Sequence, residues 1–158
     1  MHSVLLDTSF FIRLLNEDDP LFENADGYYQ YFLQKGIALK CSTISVAEFC
    51  VKGDIDQLPL KNLQIVSFNL SHAQRAGELA RIVFDNKGLL GLSTRLIIPN
   101  DTKLFAQADD DLEMIDAYIT SDTESIKIYK LLNNHTNLHF QIIDLHNKYT
   151  ETFGLLNL

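Results

Sequence analysis

Cysteine is scarce, tryptophan is absent, and no apolar run reaches the length of a membrane span. Cys41 and Cys50 are the only cysteines, and their spacing is not CxxC, so a disulfide scaffold and a thiolate metal knuckle are both excluded. Both are expected to be reduced and buried, since free cysteine behaves as a small core residue. The five histidines form no HExxH signature, and a zinc site is not expected. Met1 and His2 lead straight into a short apolar stretch. A basic n-region and the h-region of a signal peptide are both missing, so the expected location is the cytoplasm, with no membrane partner.

Positive charge is also in short supply. Thirteen Lys and Arg face 21 Asp and Glu, a net charge of −8. A passive DNA- or RNA-binding module carries a basic footprint, and this chain carries the opposite. Acids can still serve nucleic-acid chemistry when they hold a metal, because the ion reverses the local field. An acidic surface also suits a basic partner. With 158 residues, 46% apolar and 22% charged, the chain has the size and composition of one folded domain spanning 1–158.

What is present is a repeated alternation of short apolar runs and helical periodicity. Val4–Leu6 reads as a strand, and Asp7-Thr8-Ser9 caps the helical spacing that starts at Phe10-Phe11. Pro20 is placed to open a second helix, amphipathic through Phe22, Tyr28, Tyr29 and Phe32 to Gly36. The aromatics at that spacing read as core or interface. Ile37–Leu39 reads as a strand, and Ser42-Thr43 caps a helix from Ile44 to about Val51. Gln64–Phe68 alternates as a third strand. Ser71 and Gln74 have capping-box spacing for a helix to about Val83. Gly88 and Gly91 mark a loop, and Pro99 opens a further helix. Ala117–Thr120 is a strand, Asp122-Thr123 caps a helix through Leu132, and Phe140–Ile143 is a last strand. The apolar tail Phe153–Leu156 either closes the core or packs at a dimer interface. Such βα alternation predicts a parallel sheet with helices on both faces, and a site beyond the carboxyl ends of the strands.

Four acids stand at that end of their units: Asp7 after the first strand, Glu48 in the helix after the second, Asp101 in the helix opened by Pro99, and Asp122 after Ala117–Thr120. Taken singly, Asp7 and Asp122 are good N-caps, and Asp101 is a first-turn acid favoured by the helix dipole. Glu48 lies among Ile44, Val46, Ala47, Phe49 and Val51, where a carboxylate is costly to bury unless it is paired or bound to metal. The conjunction of four acids is what points to a site. Mg²⁺ and Mn²⁺ prefer oxygen ligands, and a carboxylate-held metal supplies what phosphodiester hydrolysis needs.

The segments Val4-Leu5-Leu6-Asp7-Thr8-Ser9, Ser45-Val46-Ala47-Glu48-Phe49, Asn100-Asp101 and Ile119-Thr120-Ser121-Asp122 resemble those of PIN-domain nucleases, in particular the VapC-type ribonuclease toxins of toxin–antitoxin pairs. The resemblance runs over nearly the whole chain. It implies a PIN-like three-layer α/β/α fold with a parallel sheet of four to five strands, and a Mg²⁺- or Mn²⁺-dependent endoribonuclease. It also implies an antitoxin protein as partner, and the expected assembly is a homodimer. Asp7, Glu48, Asp101 and Asp122 would be the catalytic and metal-binding acids. Thr8 would face the site, and Thr120 or Ser121 would orient Asp122. Arg13, Lys52 and Lys103 are the cations placed to contact phosphate. A second reading is a catalytically inactive PIN-like binding or scaffold protein, which the low positive charge and the altered helix after Asp101 would suit. The run Asp109–Asp111 departs from the family pattern and is expected to be solvated. A HAD-type phosphatase is disfavoured because no acid follows Asp7 by two residues. A nucleotide-binding fold is disfavoured because there is no P-loop or GxGxxG.

Overall fold

The computed structural model describes residues 1–86 and 98–155. The elements run β1 (Ser3–Leu6), α1 (Thr8–Leu14), α2 (Phe22–Lys35), β2 (Ala38–Ser42), α3 (Thr43–Phe49), β3 (Leu63–Val66), α4 (Leu70–Asn86), α5 (Ile98–Ala108), β4 (Ala117–Thr120), α6 (Thr123–His135), β5 (Gln141–Asp144) and α7 (Tyr149–Thr152). Two short 3₁₀ turns, Ile55–Gln57 and Leu60–Asn62, precede β3. Five parallel strands form one sheet in the order β3-β2-β1-β4-β5. The expected parallel α/β/α sandwich is therefore present, with five strands.

Burial explains the layers. All residues of β1 and β4 are buried, which is why they read as continuous apolar runs rather than as alternating strands. Their side chains still alternate between faces. Leu5 and Tyr118 join a core closed by Leu79 and Val83 of α4, Phe105 of α5 and Ile128 of α6. Val4, Leu6 and Ile119 join the opposite core with Phe10 and Phe11 of α1 and Tyr28 and Phe32 of α2. Gly36 ends α2 in the left-handed conformation, φ 64°, where a side chain would be strained. The tail closes the second core: Phe153 stacks on Tyr31 with ring centroids 4.7 Å apart. Leu156 lies outside the described residues, as does the Gly88–Gly91 loop. Among the described residues no helix is long and apolar enough to cross a membrane.

Several local expectations are corrected. Cys41 is buried, but Cys50 is exposed at the C-cap of α3, because the apolar helix ends before it. Helix α4 is capped by Asn69, whose Oδ1 accepts the His72 amide at 3.0 Å; Ser71 donates to the same oxygen, so the Ser71–Gln74 capping box does not form. Helix α2 starts two residues after Pro20, and α6 continues to His135. His135 and His139 stand four residues apart, but α6 ends at His135, whose Nδ1 meets the Leu131 carbonyl, while His139 faces Asp109.

The run Asp109–Asp111 is not uniformly solvated. Asp109 is buried and receives both Arg75 Nε at 2.9 Å and Nη2 at 2.8 Å, while its other oxygen accepts the His139 amide at 2.7 Å. It ties α4 and the turn before β5 to the end of α5. Asp110 lies 2.9 Å from His72 Nε2, and only Asp111 projects into solvent. A charge run in sequence cannot show which acid finds an arginine.

Candidate active site

Strand order decides where a site can form. From β1 the chain builds outward to β2 and β3 on one side, and to β4 and β5 on the other. The connections diverge between β1 and β4, leaving a crevice at their carboxyl ends. Asp7 follows β1 and Asp122 follows β4, so both stand on that crevice. Glu48 enters from the C-terminal half of α3, and Asp101 from the first turn of α5. The four acids, with Thr8, Ser9, Ile12, Asn100, Leu104 and Tyr118, line a pocket of about 340 Å³.

Asp7 is 5% exposed and held by three close donors, with the Tyr118 hydroxyl a fourth at 3.5 Å. Its Oδ2 accepts Thr120 Oγ1 at 2.5 Å, and its Oδ1 accepts Ser9 Oγ at 2.7 Å and the Phe10 amide at 2.9 Å. The last bond is an N-cap of α1, so the capping and site readings of Asp7 describe one carboxylate with two jobs. Burial pushes the Asp7 carboxyl up to about 6 against the pull of these donors, and the charge of Asp122 adds to the rise. Asp122 likewise caps its helix, accepting the Glu124 amide at 2.8 Å.

Asp101 is the most perturbed acid. Burial pushes it up to about 8, the charge of Asp122 adds to this, Ser125 nearby offsets part, and Asp7 and Glu48 raise it further. Its Oδ2 is buried with no hydrogen-bond partner among the described residues, and so is Ser125 Oγ. A buried, unpartnered carboxylate oxygen among three other acids is costly unless a proton or a cation arrives. Carboxylate oxygens are the donors that a hard divalent cation takes. No three His, Cys, Asp or Glu among the described residues converge tightly enough to ligate one ion directly. Mg²⁺ and Mn²⁺ keep several waters and need few protein ligands, so the fit rests on donor chemistry alone: carboxylate oxygens on one pocket, one of them buried and unpartnered.

The supporting residues differ in part from expectation. Thr8 does face the site, donating to Glu48 Oε2 at 2.5 Å. Thr120 does not orient the Asp122 carboxylate. Its hydroxyl grips Asp7, and its oxygen accepts the Asp122 backbone amide at 2.9 Å. Ser121 is turned away: its amide donates to Ser9 Oγ, and its hydroxyl accepts Arg13 Nε at 3.4 Å. Arg13 is paired with the Asp19 carboxylate at 2.6 Å. Lys52 lines an adjoining groove of about 740 Å³ that shares Thr8, Ile12 and Glu48 with the acid pocket, whereas Lys103 lines neither. Ser9, Asn100 and Tyr118 were not singled out by sequence reasoning. Ser9 and Asn100 adjoin the acid motifs, and that adjacency was the available signal. Tyr118 reads from sequence only as a buried strand residue.

No protein-family model matches the sequence, and no curated protein matches it. Solved structures do match. The Rickettsia felis VapBC2 structure, bound to a promoter DNA fragment, is similar over 90% of this chain and 98% of the matched chain, with TM-score 0.59 and 21% identity. The DNA-bound VapBC of Salmonella typhimurium matches over 92% and 99%, with TM-score 0.56 and 13% identity. Mycobacterium tuberculosis VapC20, described as a sarcin–ricin loop cleaving toxin, matches over 78% and 93%, with TM-score 0.53 and 16% identity. Likenesses at these identities speak to the fold.

Proposed function

On a chain with the VapC-type PIN fold, we propose a divalent-metal-dependent endoribonuclease that hydrolyses RNA phosphodiester bonds and acts as the toxin of a toxin–antitoxin pair. The observation that carries this reading is the acid pocket itself: four carboxylates from four elements at the β1/β4 crevice, one with a buried unpartnered oxygen. The fold likeness to a toxin that cleaves the sarcin–ricin loop supports RNA as substrate, and the likeness to VapBC assemblies supports an antitoxin as partner.

Asp7, Glu48, Asp101 and Asp122 would hold Mg²⁺ or Mn²⁺. An ion held there would supply an activated water and offset the negative charge that builds on the phosphate. The protein's own part is preorganisation. Thr120, Ser9 and the Phe10 amide lock Asp7 in place, so its carboxylate needs no reorientation when a cation or substrate arrives. Burial keeps the Asp101 carboxyl raised to about 8, and a cation held there would take the place of its proton. Lys52, on the neighbouring groove, is the cation best placed to meet a flanking phosphate. Among the described residues no Lys or Arg lines the acid pocket itself.

The test is cleavage of ribosomal and transfer RNA by the purified chain in Mn²⁺, resolved on denaturing gels, with single-stranded DNA as control. Asp7→Asn and Asp101→Asn should abolish RNA cleavage while the fold persists by circular dichroism. Wild-type failure on every RNA in Mn²⁺ and Mg²⁺, or full activity in both variants, would sink the proposal.

A further inference from the structure

Glu48 is gripped from two sides by donors on two different helices. Thr8, the first residue of α1, donates its hydroxyl to Oε2 at 2.5 Å. Asn100, in the first turn of α5, donates Nδ2 to Oε1 at 2.6 Å. One donor on each oxygen fixes both the position and the rotation of the carboxylate. Without them a glutamate keeps three free torsions, whose entropy must be given up at binding. Helix α3 cannot impose that orientation by itself, because Glu48 is its penultimate residue.

Asn100 directly precedes Asp101, so one turn of α5 supplies an acid to the pocket and orients another. Helix α5 is itself registered against the sheet by Gln107, two turns further along the same face. Gln107 is fully buried; its Oε1 accepts Ser42 Oγ at 2.5 Å and its Nε2 donates to the Val66 carbonyl at 3.2 Å. Ser42 Oγ also accepts the Ile44 amide and so caps α3. Helices α3 and α5 are thus tied at two points, Ser42–Gln107 and Glu48–Asn100. The Ser42–Gln107 tie does not involve Asn100, and in the pocket Asn100 meets Glu48.

We infer that Asn100 is a positioning residue: by holding Glu48 toward Asp101 it sets the affinity of the acid pocket for a divalent cation. The inference rests on the metal-site reading above. Residues that orient metal ligands typically govern 10–100-fold in affinity. The experiment is Mn²⁺ binding to the full chain without RNA, read from the free-ion electron paramagnetic resonance signal. Asn100→Ala should weaken Mn²⁺ binding about tenfold, with the metal-free melting temperature little changed. Asn100→Leu, of similar size but without the donor, should show the same loss. In a Glu48→Ala background, Asn100→Ala should add no further loss, since its effect passes through Glu48.

Wild-type affinity in both Asn100 variants would overturn the assignment, and so would an equal loss with and without Glu48, which marks a general effect on the fold. Wild type failing to bind Mn²⁺ at millimolar concentration overturns the metal-site reading and takes this inference with it. Normal wild-type binding with unaltered variants overturns the inference alone.

Discussion

Asp101→Asn separates stability from function. The folded Asp101 carboxyl holds its proton up to about pH 8, whereas in the unfolded chain it releases it near 3.8. Between those values the native state binds the extra proton, so raising the pH favours unfolding. Each pH unit in that window is worth up to about 1.36 kcal/mol, a ceiling of roughly 5 kcal/mol near pH 8. The amide that replaces the carboxylate must still be desolvated at a position 8% exposed, which takes back part of the gain. The expected net gain in the metal-free chain is about 2–3 kcal/mol at pH 8, and less than half of that at pH 5. For a domain of this size that is a rise of roughly 5–10 °C in melting temperature. The assay is urea denaturation in EDTA at both pH values. Mn²⁺ should reverse the order, stabilising wild type by mass action and leaving the variant nearly unmoved. A variant no more stable than wild type at pH 8, or a gap that does not widen from pH 5, refutes the claim that burial destabilises this carboxylate.

Two further outcomes follow from the geometry. Asp109→Ala should cost about 2–3 kcal/mol in thermal unfolding, because it takes the buried partner from Arg75, leaving it Glu78 and the Asn137 carbonyl, and removes the acceptor of the His139 amide, yet leave Mn²⁺ binding intact, since Asp109 does not line the acid pocket. Unchanged stability would show that the Arg75 contact is idle. Thr120→Val removes the shortest hydrogen bond to Asp7, so the carboxyl already raised to about 6 should rise further. The acid limb of the pH–rate profile for RNA cleavage should then shift to higher pH, and an unmoved limb would show that Asp7 does not govern it.

Fold class and the positions of the four acids were legible from local patterns. Buried parallel strands announce themselves as short apolar runs, and Asp7 and Asp122 stand at strand ends that also start helices. Element boundaries shifted by one to three residues, as at Ala38–Ser42 and Leu63–Val66, because hydrogen bonding to neighbouring strands decides where a strand stops. Residue patterns cannot assign donors to acceptors across 40 or more positions. Thr120 was expected to serve Asp122, two residues away, but reaches Asp7, 113 residues away, because β1 and β4 are neighbours.

The split follows from the range of the forces involved. Periodicity, capping chemistry and apolar run length act within a few residues, and they were enough to call for a βα-alternating chain with acids at its functional end. Strand order, burial and pairing act between distant segments. Only they decided that Asp7 and Asp101 would be raised, that Asn100 would grip Glu48, that Asp109 would be buried against Arg75, and that Cys50 would face solvent. A carboxylate's chemistry depends on what surrounds it in space, and for each of these residues the decisive neighbour came from a different element of the fold or, for Cys50, was water.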